Sequence, residues 1–355
     1  MQAAETTPSA GPADEHHTSG EWWWPVALTW AVAVVFLIVT LAWSAHVGVG
    51  LRDPGGRMFA HKLVGATLLF AALAAVDLVI RTVRAGPSLA QLRHQAAVRL
   101  APRRLALIES TIIAYHLVYL CYRNLKSWDA FNTPRDRDLA AFDRWILFGH
   151  SAAEVVHGML GTSSTMTHLL ARIYESFPQL VSIAIVAAPA FITNTRRGLV
   201  MLVAGMWAWI LGTISYYAVP SLGPCFSAAA DFAGLPHSVI TDNQATYTAQ
   251  REAFLADPSD PSTFVSISAF ASLHTGLTAL IALMAAYYRK RVLTVLLTIY
   301  LVGVLFATLY FGWHFLADLI AGLVLAAVAL LLGHVTVFRR LPRRPRRKSS
   351  AAEAR

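Results

Sequence analysis

Long apolar runs separated by short polar stretches dominate the chain. The first, Trp24 to Trp43, reads WPVALTWAVAVVFLIVTLAW and holds no charged residue. Seven more follow: His61 to Ile80, Leu105 to Tyr122, His168 to Thr193, Gly198 to Val219, Thr263 to Tyr288, Val292 to Trp313 and His314 to Phe338. A helix rises about 1.5 Å per residue, so runs near twenty residues are each long enough to cross a hydrocarbon core about 30 Å thick. The pattern predicts an all-α polytopic membrane protein of about eight transmembrane helices. The first run lacks a basic start and a small-residue cleavage site, so it reads as an anchor and not as a signal peptide.

The polar remainder divides the chain. Residues 1–23, rich in Ala, Ser, Thr, Pro and His, are expected to be disordered, and His16 and His17 have no cluster that would hold a metal. Residues 24–104 carry two helices and then Pro87 to Arg104, whose interleaved leucines and arginines suit an amphipathic helix on the inner membrane surface. Residues 105–338 form the membrane domain with the candidate chemistry, and 339–355 form a basic tail. Asp77 and Glu109, near arginines, are expected to make structural pairs.

Composition agrees with the compartment. The chain is 56% hydrophobic, with a mean hydropathy of +0.52. It is only 14% charged, where a soluble protein would carry about 25%. The net charge of +9 could suggest nucleic acid. Its distribution argues otherwise. With both termini in the cytoplasm, 19 of the 29 Lys and Arg fall on that side, the sign the positive-inside rule requires. The basic residues therefore report orientation and contact with anionic lipid. Abundant arginine and alanine hint at a bacterial plasma membrane. Two cysteines, Cys121 and Cys225, both fall near the outer face, where a disulfide could form.

Two stretches carry chemistry. YFGWHFLADLIAG, from Tyr310 to Gly322, places His314 and Asp318 four residues apart, on one face of a helix. A carboxylate inside a membrane costs about 2.5–3.5 kcal/mol, so it marks a functional candidate. A structural hydrogen bond between helices is the competing reading. SAFASLHTGL, from Ser268 to Leu277, supplies Ser272, His274, Thr275 and Gly276. Helix rise puts His274 about 22 Å above Arg289 and Asp318 about 6 Å below His314. Two histidines and an aspartate thus converge at one depth, on the extracytoplasmic side. A carboxylate that holds one imidazole nitrogen makes the other a better nucleophile. A second histidine can protonate a leaving alkoxide. Serine, threonine and backbone N–H groups at a helix start can hold phosphate oxygens, and a helix dipole near His314 favours an anion. These groups suit in-line displacement at phosphorus through a phosphohistidine. The carboxylate cluster that magnesium prefers is missing from these stretches, so neither a metal nor another cofactor is expected.

SLHTG together with TLYFGWHFLAD resembles the type 2 phosphatidic acid phosphatase superfamily. It resembles most closely the branch containing fungal inositol phosphorylceramide synthase, the aureobasidin-resistance protein. Thr308 and Tyr310 ahead of the histidine, the stretch YYAVPSLGPCF and the upstream segment NTPRDRDLAAFDRWILFG are similar to that branch. The resemblance covers roughly residues 122–322. It implies a helix-bundle core in which His314 is the nucleophile, Asp318 its orienting partner and His274 the general acid. Some features depart from the superfamily. Thr308 stands where the phosphatases usually carry an arginine, Ala271 replaces a proline, and the first basic motif is not recognisable. The phosphate clamp is therefore sought on depth alone, among Arg123, Lys126 and Arg172, although Arg172 could instead pair with Glu175 on its own helix. Tyr217 and Tyr310 are further candidate phosphate donors, with interfacial anchoring as their alternative role. The expected reaction moves a phospho-headgroup such as inositol phosphate from a lipid to an alcohol or lipid acceptor. Hydrolysis of a lipid phosphate or pyrophosphate is the alternative, and a transporter or scaffold a distant third, because transporter sites lie at the midplane.

Overall fold

The computed structural model describes residues 23–341, so the expectations for the N-terminal segment, His16, His17 and most of the basic tail lie outside the described residues. The chain opens with α1 (Trp24–Val47), α2 (Ala60–Arg84), α3 (Leu89–Arg99) and α4 (Pro102–Trp128). Next come α5 (Asp136–Ile146), α6 (Ala152–Leu160), α7 (Ser164–Glu175), α8 (Phe177–Phe191) and α9 (Thr195–Ala218). It closes with α10 (Pro224–Ser227), α11 (Val239–Ala256), α12 (Leu273–Tyr287), α13 (Arg291–Tyr310) and α14 (Leu316–Phe338). No strand occurs among the described residues. Seven helical segments are long and apolar enough to span a membrane. The remaining run, Thr263 to Tyr288, supplies α12, which is shorter at 15 residues.

That shortening departs from the pattern-based reading, which began the run at Thr263. Residues 263–272 are not helical, because side chains of neighbouring helices and loops satisfy their backbone. Ser127 Oγ accepts from Val265 N at 2.9 Å, Ser221 Oγ from Phe270 N at 3.1 Å and Ser215 Oγ from Ala271 N at 2.8 Å. The run His168 to Thr193 also divides, into α7 and α8, which meet at Ser176. Pro178 sits in the first turn of α8, where its missing N–H costs nothing.

α9 is the central helix, with 78% of its apolar window buried, against 17% for the window containing α2. It is apolar all round, as a fully enclosed helix must be, and packs on α14, α4, α8 and α12. The ends of the bundle differ in chemistry. At one end Arg81 holds Asp77 at 2.8 Å and the Phe191 carbonyl at 2.9 Å, and Arg99 also reaches Asp77 at 2.8 Å. Arg104 donates to the Pro189 carbonyl, Tyr288 to the Arg197 carbonyl, and Arg339 lies over the Trp24 ring. Asp77 thus makes the arginine pairs expected of it, whereas Glu109 accepts from Thr67 at 3.0 Å. α3 fills the segment read as amphipathic. The other end carries α5, α6, α10, α11 and both histidine motifs. Cys121 and Cys225 are free thiols.

Candidate active site

His314 lies in a sharp turn and not, as the four-residue spacing implied, on the helix. α13 ends at Tyr310, Gly312 takes a φ of +67° that reverses the chain, and α14 begins only at Leu316. The contact with Asp318 forms nevertheless: Asp318 Oδ2 accepts from His314 Nδ1 at 3.2 Å and from Phe315 N at 3.0 Å. His314 is 6% exposed and Asp318 fully buried. With its proton on Nδ1, held by the carboxylate, the ring carries its lone pair on Nε2.

The positive end of α14 is occupied, which corrects the expectation that it draws in an anion. Asp143 of α5 accepts from Leu316 N at 2.9 Å and Ala317 N at 3.3 Å. Burial pushes the Asp143 carboxyl up to about 6, against the pull of those two N–H groups. Asp136, two helical turns earlier, accepts from Leu222 N and Gly223 N. Gly223 in turn lies under the His314 turn at a φ of +103°, and a Cβ there would sit 2.5 Å from the Trp313 carbonyl oxygen. Two carboxylates of one short helix therefore fasten both strands of chain around His314. Sequence reasoning noticed DRDLAAFDRW but missed this role. The available signal was the seven-residue spacing, which puts Asp136 and Asp143 on one face.

His274 stands in the first turn of α12. Ser272 caps that helix by accepting from Thr275 N at 3.3 Å, and its own N–H donates to the Asp318 carbonyl at 3.0 Å. Gly322 allows this approach of α12 to α14, since a Cβ there would lie 2.6 Å from the Ser272 carbonyl. The His274 ring is sandwiched by Tyr174 and Phe177, with centroids 4.4 and 4.2 Å away. The Tyr174 hydroxyl lies 3.4 Å from Nδ1. The centroids of His274 and His314 are 6.2 Å apart. That is too far for a direct hydrogen bond between the rings.

Both histidines face a cavity of about 950 Å³. Arg123 and Lys126, in the last turns of α4, line it as well. Arg123 donates to Ser266 Oγ at 3.2 Å, and the Lys126 ammonium lies 5.3 Å from the Tyr216 ring centre. The other sequence candidates stand elsewhere. Arg172 is exposed on α7 and does not line the cavity, nor does it pair with Glu175, which accepts from Asn243 at 3.1 Å. Tyr310 is buried and bonds Thr167 through its hydroxyl at 2.8 Å. Tyr217 donates to the Leu125 carbonyl at 2.8 Å. Ser272, Thr275 and Gly276 shape the start of α12 without lining the cavity. Leu273 and His274 do line it, and their N–H groups have no protein acceptor among the described residues. Nor do the described residues contain a group of three or more His, Cys, Asp or Glu able to hold a metal.

Residues 137–332, more than half of the chain, match the family model of the PAP2 superfamily. The chain belongs to that superfamily. It is accordingly a multi-pass membrane protein of a family that processes lipid phosphates, as phosphatases or phosphotransferases. Comparison with curated proteins finds no match, and neither does comparison with solved structures. The region matched to the PAP2 superfamily runs from α5 to α14 and contains Asp143, His274, His314 and Asp318. It leaves out α1 to α4, and with them Arg123 and Lys126.

Proposed function

We propose that the protein is a membrane phosphotransferase that moves a phospho-headgroup such as inositol phosphate from a lipid to an alcohol or lipid acceptor, through a phosphohistidine on His314. The observation that carries this reading is the pair of histidines 6.2 Å apart on one cavity, one of them held by a buried carboxylate. His314 Nε2 attacks phosphorus and the P–O bond to the leaving alcohol breaks. His274 gives its Nε2 proton to the departing alkoxide. The acceptor hydroxyl then attacks the phosphohistidine, His274 takes up its proton, and the P–N bond breaks to restore His314. Asp318 orients the ring and stabilises its positive charge during both steps. Arg123, Lys126 and the N–H groups at the start of α12 neutralise the phosphate oxygens, and the phosphate's own charge favours protonated His274. Purified protein incubated with a radiolabelled phosphoinositide and an acceptor lipid should form labelled product. Release of inositol phosphate alone would favour hydrolysis, with water in the acceptor's place.

Because protein donors neutralise the phosphate, turnover should survive EDTA. Complete loss, restored only by magnesium or zinc, would overturn that assignment.

The orientation with the site on the extracytoplasmic face rests on the basic-residue bias and the arginine pairs gathered at the opposite end. In a host chain lacking Cys121 and Cys225, Asp242→Cys should react with an impermeant thiol reagent in intact cells. Lys290→Cys should react only after permeabilisation. The reverse order would invert the topology.

A further inference from the structure

The cavity continues past the histidines to a far end that the reaction at His314 does not use. Arg57, ahead of α2, and His61 and Lys62 in its first turn line that end. The Lys62 ammonium lies 5.8 Å from the centre of the Tyr119 ring. Tyr119 and Lys126 are seven residues apart on α4, about 10 Å along its axis. Tyr122 fills the interval, with its ring 5.8 Å from Tyr119 and 6.3 Å from Tyr216. Two cationic stations, Arg57 with Lys62 and Arg123 with Lys126, are thus joined by a wall of tyrosines. Against these four cations Glu175 is the one carboxylate lining the cavity. Neither Arg57 nor Lys62 has a carboxylate partner among the described residues. A lysine that merely reached for the headgroup plane would point its ammonium out of the cavity, not over a ring in its wall.

We propose that this far end is a second anion subsite. It takes a second phosphate carried on the substrate's headgroup, while the phosphodiester that joins the headgroup to its lipid tail is presented to His314. The proposal rests on the lipid-phosphate reading of the site and deepens it: the substrate is a lipid-linked sugar or polyol phosphate with two separated anions. Stations reached from positions two helical turns apart on α4 suit two separated phosphates on one ring better than the adjacent phosphates of a pyrophosphate. α2 lies outside the region matched to the family, so the subsite belongs to this chain's own N-terminal helices.

Binding to the full-length His314→Ala protein tests this without turnover, using phosphatidylinositol 4-phosphate and phosphatidic acid with matched acyl chains. The doubly anionic lipid should bind roughly ten-fold tighter or more, the effect of one added charge-assisted contact. Adding Arg57→Gln and Lys62→Gln should remove that advantage and leave phosphatidic acid within about two-fold, whereas Arg57→Lys with Lys62→Arg should keep it. Equal binding of the two lipids, or equal weakening of both by the glutamines, would overturn the subsite alone. Phosphatidic acid binding that rises when separate phosphatidylglycerol is added, and only with Arg57 and Lys62 present, would overturn the single-substrate assignment. Failure to bind either lipid would overturn the lipid-phosphate reading, and the subsite with it.

Discussion

Replacing His314 with alanine should abolish turnover and the phosphoenzyme together, with a loss of roughly 10⁴-fold in kcat, the scale seen when a nucleophile–base unit is broken. The turn that carries His314 is set by Gly312, Gly223 and the carboxylates of α5, none of which depends on the imidazole. The variant should therefore fold and elute as wild type. His274→Ala should behave differently. Its role falls on the leaving group, so kcat should drop by roughly 10²- to 10⁴-fold with an ordinary lipid alcohol. A good leaving group that needs no proton should still yield a trapped phosphohistidine in that variant. Quenching in alkali, where the P–N bond survives, and counting labelled protein separates the two cases, and comparable turnover in wild type and His314→Ala would sink the mechanism.

Asp143→Ala should be the most damaging change outside the reacting groups. It strips the acceptor from Leu316 N and Ala317 N, and each unsatisfied buried donor costs about 1–3 kcal/mol. The start of α14 must shift to recover partners, and a misplacement near 1 Å can cost about 10²-fold in rate. Asp143 touches no reacting atom, so it acts by positioning and pH reports on it. Burial holds its carboxyl at about 6. An ionised carboxylate is the better acceptor for two N–H groups. Turnover should accordingly rise with pH through about 6, and Asp143→Asn should lose that limb while keeping part of the activity. Stability runs the opposite way. The folded pKa lies above the ordinary carboxylate value near 4, so the native state keeps the proton between about pH 4 and 6. This group's contribution is full below about pH 4 and is lost as pH rises through about 6. A pH–rate profile identical in wild type and Asp143→Asn would remove Asp143 from this role.

What one-dimensional pattern can carry is clear from particular elements. The spans were readable because apolar length is a local property: any twenty-residue run long enough to cross lipid declares itself. The convergence of His274 with His314 and Asp318 was readable too, since helix rise converts sequence distance into depth. Depth, however, is one coordinate. Arg123, Lys126 and Arg172 were equivalent by that measure. Rotation about the helix axis separates them: α4 turns its two cations into the cavity, while α7 turns Arg172 away. The same holds for tyrosine. Tyr217 and Tyr310 stood near the motifs, but their hydroxyls are spent on Leu125 and Thr167, and Tyr174 meets His274 across a hundred residues of chain.

The sequence alone therefore determined the solvent of this protein, its helical class and the residues able to do chemistry, because hydropathy and side-chain identity need no partner to be expressed. Folding decided the rest. The turn at His314, the carboxylates of α5 that hold it and the short sixth span all depend on backbone N–H groups finding acceptors on distant segments. Such pairings minimise the number of unsatisfied groups over the whole chain at once, so no single stretch contains the information to predict them.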